Sequence, residues 1–186
     1  MKKLKLFIAS SLDGYIARPN NSLDWLDEME NPNQIDHGYL SFLKEIDTLI
    51  MGRTTYEVVL GFGIDWPYLD QESFIASKQD TYEIKTPKTS VVKGELVSFV
   101  KNLKKGRGKN IWLVGGGELI SELINARLVD EMIISVVPRI IGGGIRLFAG
   151  NPRDTLWELK SAVTYPTGVV NLTYKLKPVK ESDSVK

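Results

Sequence analysis

Three consecutive glycines, Gly115-Gly116-Gly117, stand between an apolar run and a helical pattern, where they could receive a phosphate group. The preceding residues, 111–114, are apolar without alternation, which predicts a strand buried on both faces. After the glycines, apolar residues recur with helical spacing at Leu119, Ile120, Leu123 and Ile124. Glycines let a ligand approach the backbone closely, and the free N–H groups of a helix start favour phosphate. The junction predicts a phosphate site, with a tight turn that binds nothing as the alternative.

Neither of two named nucleotide-binding motifs is present at these glycines. Gly115 and Gly117 match the first two positions of the dinucleotide fingerprint G-x-G-x-x-G, but Ile120 occupies the third. The chain also has no Gly-Lys-Ser or Gly-Lys-Thr triplet, which excludes a P-loop.

A second strand–glycine–helix junction lies at Gly52-Arg53, directly after the apolar residues 48–51. Thr54 and Glu57 have the spacing of a capping box, in which the threonine caps the helix and the glutamate reaches back. Two such helix starts in one parallel sheet suit a ligand with more than one phosphate, bound across the carboxyl ends of the strands. Ser77-Lys78, a hydroxyl and a cation after the next predicted strand, could hold another phosphate.

Asp36 is the candidate acid. Asn31 and the three residues after it predict a helix start, with Asn31 as the cap. Apolar residues then form a helical stripe at Ile35, Tyr39, Phe42, Leu43 and Ile46. Asp36 lies beside this stripe and could line a cleft. The alternative is an acid in the first turn, which interacts favourably with the helix dipole.

The composition indicates an ordinary globular protein without disulfide or metal chemistry. Of the 186 residues, 42% are hydrophobic and 25% are charged, and the net charge of +1 argues against a protein dedicated to nucleic acid or membrane surfaces. The chain has no cysteine, and its only histidine, His37, excludes a multi-histidine metal site. No apolar run approaches the roughly 20 residues of a membrane span. We expect a cytoplasmic protein that binds no metal, nucleic acid or membrane.

Strands alternate with helices along most of the chain, and a strand pair ends it. Residues 157–159 and 170–176 predict antiparallel strands joined by a turn at Pro166-Thr167-Gly168, whereas glycines 142–144 predict a loop or bulge. We predict one α/β domain over residues 1–177, with a mostly parallel central sheet flanked by helices and an antiparallel C-terminal strand pair. A polar, frayed tail is predicted at residues 178–186.

Several of these stretches resemble signatures of the dihydrofolate reductase-like superfamily. The resemblance is greatest to the branch that contains the C-terminal reductase domain of bacterial riboflavin biosynthesis. It rests on residues 11–17, 49–57, 113–119, 128–131 and 138–144, which occur in the order found in that branch. It covers nearly the whole chain, and several ordered signatures are far more specific than any one of them.

The resemblance implies that NADPH lies across the carboxyl ends of the strands. It places the adenosine side and pyrophosphate at Gly52, Arg53, Thr54 and Thr55, and the adenine ribose 2′-phosphate at Ser77 and Lys78. It places the pyrophosphate and nicotinamide side at Gly115, Gly116, Gly117, Glu118, Leu119 and Ile120. The nicotinamide and substrate cleft would be lined by Ala9, Asp13, Ile16 and Trp25. Hydride transfer is the chemistry of the cofactor, so no histidine or cysteine machinery is required.

The resemblance also implies a catalytic role for Asp36. Dihydrofolate reductases carry an acid on the first helix that supplies the proton of the pterin, and Asp36 falls at the matching place before Gly52-Arg53. Asp13, Trp25 and Asp36 are the predicted substrate-binding residues. We expect a partly apolar cleft to raise the pKa of the Asp36 carboxyl toward a value useful for acid catalysis.

Departures from the family patterns concern the substrate and the cofactor affinity. The riboflavin-pathway reductases carry an arginine that grips a ribose phosphate, and the matching residues here, 60–67, contain none. The tryptophan-proline of the folate enzymes is replaced by Trp25-Leu26. Glu118 stands where the folate enzymes often carry an arginine near the pyrophosphate.

The leading hypothesis is an NADPH-dependent reductase, of the dihydrofolate reductase or phosphoribosylaminouracil reductase type, that transfers hydride to a pterin-like or pyrimidine-like heterocycle. The alternative is a catalytically silent module that binds NADP(H) or another nucleotide. A third reading is a homodimeric scaffold without ligand, because an exposed C-terminal edge strand invites pairing. We expect a homodimer, since the riboflavin-type reductases are often dimers.

Overall fold

A computed structural model describes residues 1–79, 81–92 and 94–178 of the chain. Its strands are β1 (Leu4–Ser11), β2 (Tyr15–Ala17), β3 (Ile46–Gly52), β4 (Glu72–Ala76), β5 (Thr89–Val91), β6 (Asn110–Gly115), β7 (Glu131–Val137), β8 (Ile145–Arg146), β9 (Trp157–Thr164) and β10 (Val170–Leu176). Its helices are α1 (Asp24–Asp27), α2 (Tyr39–Lys44), α3 (Arg53–Leu60), α4 (Leu96–Lys105) and α5 (Gly117–Asn125).

Eight of these strands form one sheet in the order β5-β4-β3-β6-β1-β7-β10-β9. The strands from β5 to β7 in that order are all parallel, whereas β10 pairs antiparallel with both β7 and β9. A separate antiparallel ribbon joins β2 and β8. The predicted α/β class, with a mostly parallel sheet and an antiparallel C-terminal pair, is confirmed.

The central strands are buried on both faces because helices cover each side of the sheet. On β6, Ile111 and Leu113 pack into a core shared with α4 and α5, and both are fully buried. Trp112, between them, packs on the opposite face into an aromatic-rich core shared with α2 and α3. A strand covered on both faces needs apolar residues at successive positions, which explains the lack of alternation in its sequence.

The predicted helix from Asn31 onward was wrong at its start, because α2 begins only at Tyr39. The Asn31 side chain instead closes a loop by bonding both the N–H and the carbonyl of Ile35, each at 2.9 Å. Gln34 and His37 have φ angles of 49° and 50°. A right-handed helix cannot run through residues in the left-handed region, so the predicted stripe is interrupted there.

The predicted capping box at Thr54 and Glu57 was also wrong. The first helical residue of α3 is Arg53, with Gly52 as its cap, and no side chain in the described ranges bonds to the cap position. Glu57 instead accepts two hydrogen bonds from the Arg53 guanidinium, at 2.7 and 3.0 Å. The Glu57 carboxylate, which a capping box would need, is therefore paired with Arg53, one turn earlier in the helix.

The short elements α1, β2 and β8 were not predicted, because segments of two to four residues carry too little periodicity. The loop predicted at residues 142–144 is confirmed, and β8 follows it directly. The tail predicted at 178–186 falls, except for Pro178, outside the described residues. Within the three described ranges, no helix is both long and apolar enough to cross a bilayer.

Candidate active site at the carboxyl edge of the sheet

The carboxyl ends of β4, β3 and β6 lie side by side and gather most of the predicted cofactor residues. Gly52 at the end of β3 is opposite Ala76 at the end of β4, and Met51 is opposite Gly115 of β6. Ser77-Lys78 directly follows Ala76. The hydroxyl–cation pair, the start of α3 and the triple glycine therefore form one continuous track along this edge.

The two glycine turns on this track are in close proximity. A Cβ atom on Gly52 would lie 3.8 Å from the carbonyl oxygen of Gly115 and 3.9 Å from the nitrogen of Gly116. Gly115 has a φ of +133°, a conformation that other residues rarely adopt. Gly117 leaves no room for a side chain, since its Cβ would overlap the carbonyl oxygen of Arg146 in β8. Backbone angle and close packing thus explain two of the three glycines.

The first turns of α3 and α5 present backbone donors beside these glycines. Among the described residues, no side chain caps either helix. The N–H groups without an intrahelical acceptor are those of Arg53, Thr54 and Thr55 in α3, and of Gly117, Glu118 and Leu119 in α5. Ile120, also predicted to bind cofactor, donates its N–H to Gly116 at 3.0 Å and has a fully buried side chain. Ile120 therefore has no polar donor for a ligand.

Arg53 and Lys78 are the predicted phosphate-binding cations, and their surroundings differ. Arg53 binds Glu57 through Nη1 alone, and its side chain is 36% exposed. Lys78 is exposed at the end of β4. Ser77 Oγ accepts the N–H of Gln79 at 3.0 Å, so the serine hydroxyl keeps its own proton for another acceptor. One cation is held by an acid and the other is open to solvent.

The ribbon of β2 and β8 covers the start of α5. The N–H of Leu147 donates to the carbonyl of Gly14 at 2.9 Å. Ile16, a predicted cofactor residue, lies in β2 and packs half-buried against the core beside α5. The Arg146 guanidinium lies over the Tyr15 ring, 5.7 Å from its centroid. A further cation thus stands next to the cofactor track.

Asp13, a predicted substrate residue, joins two loops. Its carboxylate accepts the Ser11 hydroxyl at 2.6 Å and the N–H groups of Gly142 and Ile141 at 2.8 and 3.2 Å. These bonds, the one from Ser11 above all, hold the pKa of Asp13 below its usual value. Asp13 therefore links the loop after β1 to the glycine loop after β7. Its contact with a substrate stays a prediction.

Trp25, another predicted substrate residue, is fully buried. It forms a small cluster with Val137 and Val169, against which Ala9 and Tyr165 also pack. The indole N–H of Trp25 has no hydrogen-bond partner among the described residues. Most buried polar groups are hydrogen-bonded, which makes this donor an exception. Trp25 and Ala9 are thus brought together as predicted, and their contact with ligand stays a prediction.

Asp36 lies two residues before Gly38, the N-cap of α2, and its carboxylate accepts hydrogen bonds from the start of this helix. Its Oδ2 accepts the N–H of Leu40 at 2.9 Å, and its Oδ1 accepts the N–H of Gly38 at 3.1 Å. These two bonds, the one from Leu40 first, hold the pKa of Asp36 below its usual value. The prediction of a raised pKa was wrong, because donors at a helix start favour the ionised carboxylate. Asp36 thus precedes the helix instead of lying in its first turn as the alternative predicted, although it does accept N–H groups at the helix start; its catalytic role stays a prediction.

A buried polar chain beside Asp36 was missed by sequence reasoning. Ser135 Oγ donates to Asn171 Oδ1 at 2.7 Å, and both residues are 7% exposed at opposite positions of β7 and β10. Asn171 Nδ2 donates to the His37 carbonyl at 2.7 Å and to the Tyr165 hydroxyl at 3.4 Å. The available signal was Ser135 itself, a polar residue inside an otherwise apolar predicted strand.

The fold is that of the dihydrofolate reductase-like proteins. Dihydrofolate reductase from Enterococcus faecalis, solved in complex with NADP(H) and RAB-propyl, has a TM-score of 0.66 at 19% sequence identity. The match covers 95% of this chain and 97% of that one. At this identity the likeness concerns the fold alone.

Sequence comparison gives the family. The model of the RibD C-terminal domain matches residues 67–171. YwjB of Bacillus subtilis is 36% identical over 169 residues, which cover 90% of this chain and 95% of that protein. A protein of Shewanella sp. PV-4 assigned to riboflavin biosynthesis has a crystal structure with a TM-score of 0.84 at 34% identity, covering 95% of this chain and 99% of that one. The chain belongs to the RibD C-terminal domain family, as its resemblance indicated, and family and fold together support an oxidoreductase role.

Proposed function

We propose that the protein is an NADPH-dependent reductase that transfers hydride to a small heterocycle, pterin-like or pyrimidine-like. The observation that carries the proposal is the track of backbone donors and cations along the carboxyl edge of β4, β3 and β6. NADPH bound there supplies the hydride. The residues present fit this cofactor, because among the described residues no side chain caps α3 or α5, and the first N–H groups of both helices remain to bind its phosphates.

The cations Arg53 and Lys78, which follow the ends of β3 and β4, favour NADPH over NADH. Arg53 uses only Nη1 for its pair with Glu57, so Nη2 and Nε are left to bind a phosphate. Ser77 and Lys78 add a hydroxyl proton and a second positive charge on the neighbouring strand end. NADH has no 2′-phosphate and would gain nothing from these groups.

In this proposal Asp36 accepts a hydrogen bond from a ring N–H of the substrate. The carboxylate is ionised at neutral pH because its pKa lies below the usual value, so it is a poor proton donor. Asp36 is also exposed, so water can reach it. The proton that accompanies the hydride then comes from water beside the carboxylate, and Asp36 orients the substrate.

The charges of the surrounding loops favour a substrate without phosphate. Arg18, after β2, binds Asp24 at 2.7 Å. Arg139, after β7, binds Glu28. An arginine already paired with an acid attracts a phosphate less strongly than a free one, because the acid repels the incoming anion. The missing arginine at residues 60–67 points the same way. An unphosphorylated heterocycle is therefore the preferred substrate.

A turnover screen tests the proposal. The protein is incubated with NADPH and a dihydropterin, dihydrofolate or a ribosylaminopyrimidine, each with and without phosphate where the compound allows, and NADPH absorbance is followed. The proposal predicts oxidation of NADPH with an unphosphorylated heterocycle and its loss in the Arg53→Ala/Lys78→Ala double variant. Tight NADPH binding without oxidation by any of these compounds would favour the silent binding module instead.

A further inference from the structure

The amide of Asn171 has only one orientation that satisfies its neighbours. The Ser135 hydroxyl donates to Oδ1, which leaves Nδ2 facing the His37 carbonyl and the Tyr165 hydroxyl. An amide nitrogen can only donate, so the Tyr165 oxygen must accept this bond. The proton of the Tyr165 hydroxyl is therefore left for another acceptor, and no described residue accepts it.

The Tyr165 hydroxyl lies close to the Asp36 carboxylate without bonding to it. Its oxygen is 3.3 Å from the place where a Cβ on Gly38 would stand, and the Gly38 N–H donates to Asp36 Oδ1 at 3.1 Å. Burial and then the negative charge of Asp36 raise the pKa of Tyr165. The phenol therefore keeps its proton at neutral pH, beside an ionised carboxylate.

The Tyr165 ring is held in one orientation from several sides. The His37 ring meets it edge-on at 5.0 Å between centroids, with an interplanar angle of 77°. His37 is itself fixed by a 2.8 Å hydrogen bond between Nε2 and the Thr167 hydroxyl. On another side the tyrosine packs against the cluster of Trp25 and Val169. A ring fixed in this way presents its hydroxyl in a defined direction.

We propose that Tyr165 is a specificity-determining residue, which donates a hydrogen bond to a ring carbonyl while Asp36 accepts one from the adjacent ring N–H. Donor and acceptor side by side select a substrate with a cyclic amide edge, in which N–H and C=O are neighbours. This inference rests on the proposed reductase function. A ring with an amino group in place of the carbonyl would fit neither residue, because it sets a donor against the Tyr165 proton and lacks the ring N–H that Asp36 accepts.

Two matched probes test the inference on the NADPH-loaded protein: dimethylpterin, and its thione analogue, in which sulfur, a weak hydrogen-bond acceptor, replaces the ring carbonyl oxygen and the ring N–H is kept. We expect the wild type to bind the pterin about tenfold more tightly than the analogue, the effect of one well-placed hydrogen bond. Tyr165→Phe should abolish this preference by weakening the pterin alone. Tyr174→Phe serves as the control, since Tyr174 lies on β10 and packs into the core beside α5.

The single histidine gives a check on the fold of each variant. Tyr165→Phe keeps the aromatic ring, so the imidazole proton resonances of His37 should retain the wild-type ring-current shift. An unchanged binding ratio in Tyr165→Phe, with the His37 resonances preserved, would overturn the inference and leave the proposed function standing. Failure of both probes to bind the NADPH-loaded wild type would overturn the inference and also the proposal that the substrate is pterin-like. Failure of NADPH itself to bind would remove the reductase proposal.

Discussion

Replacement of Glu57 by glutamine is predicted to tighten the binding of NADPH and to leave that of NADH unchanged. Two oxygens of the Glu57 carboxylate accept from Arg53 Nη1, at 2.7 and 3.0 Å. The carboxylate therefore stands beside the proposed 2′-phosphate site and competes with the phosphate for the guanidinium. NADH has no 2′-phosphate and does not meet this competition.

Two contributions set the expected magnitude. An exposed ion pair between helix positions i and i+4 contributes about 0.3–0.5 kcal/mol, part of which is lost when the phosphate takes over the arginine. A carboxylate and a doubly charged phosphate about 8 Å apart in water repel each other by about 1 kcal/mol before salt screens them. After screening, a total of about 1 kcal/mol corresponds to a roughly fivefold lower Kd at low salt.

The assay is a titration of each dinucleotide by nicotinamide fluorescence at two salt concentrations. Glu122→Gln is the matched control, because Glu122 is an exposed acid on α5 and does not contact Arg53. The gain in NADPH affinity should shrink at high salt and be absent in the control. Weaker NADPH binding by Glu57→Gln would refute the reasoning, since Glu57 would then help to position Arg53 rather than compete for it.

Further predictions concern stability and assembly. Gly117→Ala should lower the melting temperature by several degrees, because its Cβ would overlap the Arg146 carbonyl oxygen. Gly143→Ala should not, because its Cβ would meet no atom of the described residues within 4 Å, and equal melting curves for the two variants would contradict this reasoning. Asp36→Ala should cost about 0.5 kcal/mol of unfolding free energy at pH 7 through loss of the exposed hydrogen bonds from the Gly38 and Leu40 N–H groups. That cost should shrink as pH falls through the lowered pKa of the folded carboxyl, where the wild type loses the same stabilisation, and denaturant unfolding at several pH values checks the sign. If a homodimer pairs through the exposed edge strand β9, Val163→Lys should shift sedimentation from dimer to monomer, and a monomeric wild type would refute the expectation.

The parts of the fold that follow from sequence are those with strong local patterns. The unbroken apolar run of β6 predicted a strand buried on both faces, and Ile111 and Trp112 do pack on opposite sides of it. The glycine turn after it predicted free helix donors, which the geometry of Gly117 and its neighbours provides. These features depend on residues that are adjacent in sequence, so they can be predicted from the periodicity of apolar residues and from the positions of the glycines.

The parts that failed depend on contacts between distant residues or on competition within one segment. The raised pKa expected for Asp36 assumed burial, but the backbone donors of Gly38 and Leu40 decide the outcome. Ile120 fits the helical stripe that marked the cofactor site, yet that stripe is the buried face. The hydrogen bond between Asn171 and His37 joins residues far apart in the chain, so no local sequence pattern predicts it.

A titration of the wild type and of the Arg53→Ala/Lys78→Ala double variant with NADPH and NADH is the sharpest test of the reductase proposal. Nicotinamide fluorescence reports binding directly and needs no knowledge of the substrate. Tight binding of NADPH by the wild type, with a preference over NADH that disappears in the double variant, is the predicted result. A folded wild-type protein that binds neither dinucleotide would contradict it, and the glycine turns would then have only a structural role.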